Sequence, residues 1–135
     1  MEDQLEAPAL SNALRLSAVY DLVGAVLIVW MPAWLLDAFS HPLPAEPFLF
    51  RLSALPLFLM PVIYLMAAAA PIAQPHMTRA SFRVRVLGGL AILLLVFWQQ
   101  PAVATPYVLF GVGDLLWAVI YWALAARSGL RLISD

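Results

Sequence analysis

Residues 13–36 read ALRLSAVYDLVGAVLIVWMPAWLL, with two charged side chains, Arg15 and Asp21, in an otherwise mostly apolar run. An α-helix rises about 1.5 Å per residue, so about 20 apolar residues cross the hydrocarbon layer of a bilayer. This stretch is long enough to do so. It does not read as a signal peptide. Glu2, Asp3 and Glu6 precede it where a basic segment is needed, and its apolar core is too long.

Three further stretches, at about 51–70, 84–100 and 106–126, have similar character. The third is short unless it extends through Gln99 and Gln100. No segment alternates apolar and polar residues as a membrane barrel strand does. The expected fold is all-α: an integral membrane four-helix bundle running up-down-up-down as a single domain. The proline-containing segments 40–47, 71–81 and 99–106 are expected to be its loops, and Ser11 or Asn12 the cap of the first helix.

The composition agrees. Of 135 residues 64% are apolar and 11% charged, against roughly 45–50% and about 25% in soluble domains. A small soluble domain cannot hide so much apolar surface. A net charge of −1 provides no field for nucleic acid, so no nucleic-acid partner is expected. The absence of cysteine excludes disulfides and thiolate metal sites. The sequence has no phosphate loop, no HExxH and no Gly-x-Ser-x-Gly. His41 and His76 fall on opposite sides of the membrane and cannot share a metal. No metal and no cofactor are therefore expected. No soluble segment is long enough for a catalytic domain, so an enzyme is the less favoured reading.

All seven basic residues are arginines. With four spans, Arg15, Arg79, Arg83, Arg85, Arg127 and Arg131 share one side, and Arg51 lies on the other. Positive charge collects on the cytoplasmic side. Both termini are expected to be cytoplasmic, with a bacterial inner membrane as the location. The two hairpins also look alike. Arg15 precedes Trp30 by the same fifteen residues that separate Arg83 from Trp98, and Val62-Ile63-Tyr64 recurs as Val119-Ile120-Tyr121. Duplication competes here with coincidence among common apolar residues.

Two carboxylates lie where a charge costs about 2.5–3.5 kcal/mol on insertion scales. Asp21 is well inside the first span, and Asp114 is near the middle of the fourth. Ser17, Asp21, Gly24 and Ile28 share one helical stripe, as do Gly111, Asp114, Ala118, Tyr121 and Ala125. Small residues on such stripes let helices approach, so both aspartates should face the interior. Depth arithmetic groups Asp21 with Tyr64, Tyr121 and Ser17, with Arg15 or Arg85 reaching up from the inner boundary. It gives Asp114 the outer-side partners Ser53 and Arg51. These groups form either a clasp between helices or a proton- or ligand-binding site. A third reading breaks the fourth helix at Gly111-Val112-Gly113, with Asp114 capping the restart. Pro56 and Pro61 should bend the second span. Trp30, Trp34, Trp98 and Tyr107 suit an outer aromatic belt, and Gly88-Gly89 a close-packing point.

Taken together, Arg15 and Arg51 opening the first two spans, Arg-x-x-Gly-Gly at 85–89 and Gly-x-x-Asp at 111–114 resemble small bacterial four-helix membrane proteins of the DoxX-like group. The resemblance implies the bundle and supplies no catalytic set. Three functions follow as expectations. The first is a structural or accessory protein whose partners are membrane lipids and a second copy or another membrane protein. The second is a proton-linked carrier or binding protein for a hydrophobic small molecule, using Asp21 and Asp114. The third is an intramembrane enzyme on a lipid-like substrate.

Overall fold

A computed structural model describes residues 7–30, 37–38, 51–52, 54–101 and 105–133. Four long helices follow one another: α1 Pro8–Trp30, α2 Leu55–Ala69, α3 Pro75–Gln99 and α4 Thr105–Arg127. They run alternately up and down, and no strand occurs among the described residues. The helices of each hairpin pack along one another, α1 with α2 and α3 with α4, and narrower contacts of α2 with α3 and α1 with α4 close the ring. α1, α3 and α4 are long and apolar enough to cross a membrane. α2, with 15 residues, is about 22 Å long.

The side chains are arranged inside out relative to a soluble bundle. Leu16, Val23, Leu87, Leu94, Leu116 and Val119 are exposed, while alanines, glycines, Ser17, Asp21, Thr78, Ser81 and Arg85 are buried. With lipid outside, large apolar residues gain nothing by turning inward. Small and polar residues then take the interfaces, where backbones approach and hydrogen bonds form.

Several boundaries differ from the sequence expectation. Segment 71–81 is not a loop. The turn ends at Gln74, and α3 begins at Pro75, nine residues before the expected 84. Proline is suited to a first helical turn, where its missing N–H is not needed. Thr78 fastens the turn by donating to the Pro71 carbonyl at 2.8 Å. The extra turns carry Arg79 and Arg83, which masked the helix in a hydropathy reading. Their buried residues Thr78, Ser81, Arg85 and Gly89 nevertheless hold the helical period.

Ser11 is no cap, because α1 starts before it. Its hydroxyl donates to the Ala68 carbonyl of α2 at 2.6 Å and ties the start of α1 to the end of α2. Pro56 lies in the first turn of α2, where it removes no helical bond, and only Pro61 is interior. The glycines at 111 and 113 do not interrupt α4, which is continuous past Asp114. Residues 31–36 with Trp34, the 40–47 loop with His41, and Ser53 lie outside the described residues. His76 is exposed in the first turn of α3.

α4 ends in a left-handed Gly129, φ 75°. Leu130 N–H bonds the Ala125 carbonyl and Gly129 N–H the Ala126 carbonyl, the paired bonds of a glycine-terminated helix. The chain then folds under the bundle. Leu132 joins Ala7, Leu10, Leu14, Ala67, Ala68, Tyr121 and Ala125 in the main apolar cluster.

At Gly89 and Gly111 the backbones of α3 and α4 approach each other closely. A Cβ on Gly89 would meet the Gly111 carbonyl oxygen at 2.8 Å and Leu115 at 2.9 Å. Gly89→Ala should therefore destabilise the bundle by about 1–3 kcal/mol through overpacking, read as an earlier midpoint when the detergent-solubilised protein is unfolded with SDS. An unchanged midpoint would mean the two backbones are farther apart.

Candidate functional site

The polar residues of all four helices meet at one guanidinium. Arg85 projects from α3 and is 2% exposed. Its Nη1 donates a short hydrogen bond to Asp114 Oδ1 on α4. The same nitrogen lies 2.8 Å from Asp21 Oδ1 on α1. Nη2 donates to the Ser17 carbonyl on α1 at 3.2 Å. On α2 the Tyr64 ring lies against the cation, 4.6 Å from Cζ to the ring centre, and Tyr20 stands at 5.7 Å. A guanidinium is well suited to this position, because its planar fork can bond several acceptors in one plane while its faces lie on aromatic rings.

The two glycine motifs of the sequence prove to be one device. Arg85 and Gly89 are one turn apart on α3, and Gly111 and Asp114 are one turn apart on α4. Antiparallel packing sets Gly89 against Gly111 and Arg85 against Asp114. The absence of side chains at the glycine pair brings the backbones together, so Arg85 reaches the carboxylate one turn away. Gly88 leaves space beside it: a Cβ there would lie 3.2 Å from Asp114 Oδ2.

A second set of bonds lies toward the termini. Tyr121 shares a short hydrogen bond with Ser17 Oγ, whose own proton goes to the Leu14 carbonyl at 3.1 Å. The Tyr121 and Tyr64 rings pack edge to face with centres 6.5 Å apart. Trp117 stacks at a tilt on both Tyr121 and Tyr20, and Tyr20 on Phe110. Ser17, Asp21, Tyr64, Arg85 and Tyr121 are all exposed by 2% or less. Asp114 is the open member at 13%.

The expected grouping of Asp21, Tyr64, Tyr121 and Ser17 is present in space. The separate outer-side placement of Asp114 is not. Asp114 joins the same cluster through Arg85, and Arg51 lies exposed, outside it. Arg15, the other expected inner partner, is exposed as well. The reason is the early start of α3. Counted from 84, Arg85 stands at the membrane edge. Counted from Pro75, it is ten residues into a helix, about 15 Å along it. Tyr20 and Trp117 were not singled out as members, although Phe110, Asp114, Trp117 and Tyr121 follow one helical stripe that would have shown Trp117.

The bonding around the cluster is uneven. Among the described residues, neither oxygen of Asp21 receives an aligned hydrogen bond, and the Arg85 Nε–H has no acceptor. The contact of Asp21 with Nη1 is an ion pair, while the aligned hydrogen bond from that nitrogen goes to Asp114. No group of three or more metal-ligating side chains occurs among the described residues. Two hollows lie away from the cluster. One, of about 650 Å³, is formed by Trp122, Ala126 and the 129–133 tail, and the other is an apolar groove on the outer face of α1. Comparison with known protein families, curated proteins and solved structures gave no match to this chain.

Proposed function

We propose that this chain is a small integral membrane protein of structural or accessory type. Its four helices are fastened by the Arg85 cluster, and its apolar exterior is the working surface, facing lipid and a second copy or another membrane protein. The observation that carries this reading is Arg85, buried to 2% and bonded or packed against every other helix of the bundle. A charge set so enclosed serves packing directly, and it requires no substrate. The carrier and enzyme readings need space at Asp21, and Asp21 is itself sealed at 1% exposure. The likeness to DoxX-like proteins is part of the proposal, supported by two of the four features that carry it, Arg-x-x-Gly-Gly and Gly-x-x-Asp, which meet at the α3–α4 junction.

Purified protein in lipid vesicles loaded with a pH-sensitive dye tests this reading. Under an imposed pH gradient, vesicles with the protein should lose the gradient no faster than vesicles without it. A faster loss that Asp21→Asn abolishes would replace the structural reading with the proton-linked one.

We also place both termini on the cytoplasmic side of a bacterial inner membrane. Arg85 no longer counts toward this orientation, since its charge is used inside the bundle. Arg15, Arg79, Arg83, Arg127 and Arg131 still outnumber Arg51 by five to one. The chain has no cysteine, so single cysteines report the topology. Ser128→Cys should be protected from a membrane-impermeant maleimide added to intact cells, and Gln99→Cys should react. The reverse pattern would invert the orientation.

A further inference from the structure

The charges in the cluster do not balance. The titratable or charged groups facing it are Asp21 and Tyr20 from α1, Tyr64 from α2, Arg85 from α3, and Asp114 and Tyr121 from α4. Phenols are neutral at ordinary pH. One guanidinium therefore faces two carboxyl groups, and with both ionised the cluster carries one negative charge in excess. At a solvated surface this would matter little. Inside a closed site in hydrocarbon, an uncompensated charge costs several kcal/mol.

The hydrogen bonds distinguish the two carboxyls. An ionised carboxylate only accepts, so a buried one needs donors at its oxygens. Asp114 has the Nη1 hydrogen bond. Asp21, buried to 1% exposure, has no aligned donor at either oxygen among the described residues, and its Oδ2 has no polar partner there. The second guanidinium arm is occupied by the Ser17 carbonyl. A metal cation is a poor candidate for the missing positive charge, because the nearest group to both carboxyls is itself a cation.

We propose that the folded cluster is a binding site for a single proton, held on the Asp21 carboxyl, while Asp114 remains the counter-ion of Arg85. The proton comes from water and forms one O–H bond on Asp21, and nothing is oxidised or reduced. Asp114, the more exposed carboxyl, is the side from which the site exchanges it. This assignment rests on the reading of the cluster as the fastener of the bundle and adds what makes that fastener neutral.

Infrared difference spectroscopy of the protein in lipid vesicles at neutral pH tests it. Asp21 and Asp114 are the two acidic residues within α1–α4, so substituting either one assigns the band. The wild type should show the carbonyl band of one protonated carboxyl per chain, shifting on exchange into deuterated water. Asp21→Asn and Asp114→Asn should each lose the band, because either substitution leaves one carboxylate opposite one guanidinium. A wild type without the band would overturn the assignment, and so would a folded single variant that keeps it. The wild-type measurement decides even if a variant fails to fold. It is independent of the vesicle gradient test, which can fail while the band is present.

Discussion

Arg85→Ala is expected to destabilise the bundle by about 3–5 kcal/mol, the range for removing one partner from a buried ion pair. The substitution leaves Asp21 and Asp114 facing each other without a cation, and it removes the bond to the Ser17 carbonyl and the contact with Tyr64. Both carboxyls would then have to be neutral, and a cavity would remain where the guanidinium lay. Unfolding with SDS from a mild detergent should show a large shift of midpoint. Arg85→Lys should recover only part of it. An ammonium keeps the charge but cannot direct a planar fork at two carboxyls and a carbonyl. If lysine restored the wild-type midpoint, the geometry of the fork would be irrelevant.

The paired variant Asp21→Asn with Asp114→Asn should have a comparable effect, again about 3–5 kcal/mol, because it leaves the buried Arg85 cation without a counter-ion. Each asparagine alone should be much milder, since one carboxylate still balances Arg85. The double variant should then exceed the sum of the singles by well over about 0.5 kcal/mol, the scatter for independent sites. Additive effects would show that the two aspartates do not serve one cation. Measuring the four proteins in one lipid or detergent keeps the unfolded reference common to all.

The parts of this structure legible in the sequence share one property: they depend on helical period alone. The stripe Ser17, Asp21, Gly24 is the buried face of α1, and Gly111, Ala118, Tyr121, Ala125 that of α4. Gly88-Gly89 was readable as a close approach because two adjacent glycines in a span have few other uses. Tyr64 and Tyr121 were placed near Asp21 by counting residues from the helix ends, and they are there. The pairing of Arg85 with Asp21 is present in space, but the sequence sets Arg85 too near the membrane edge, because hydropathy starts its helix at 84. Two arginines, the half-buried Arg79 and the exposed Arg83, lower the average over a segment whose other face carries Thr78, Ser81 and Arg85. That error then assigned Asp114 a partner, Arg51, on the wrong end of the bundle. The chain reversal after α4 is not part of that reading, although the glycine at Gly129 following the last turn is its signal. The packing of Leu132 beneath α1 was not, because it depends on a contact between the two ends of the chain.

If one buried cation and its two acids fasten the four helices, Arg85→Met alone should behave differently from Arg85→Met combined with Asp21→Asn and Asp114→Asn. Replacing a whole buried charged set by well-packed hydrophobic residues of similar volume is often nearly neutral, whereas removing one member is not; asparagine removes the charge but keeps a polar amide, so its recovery is partial. The single substitution should lower the unfolding free energy by several kcal/mol, and adding the two asparagines should recover part of that loss. A single variant as stable as the wild type, or a triple variant no more stable than the single, would contradict that fastening role.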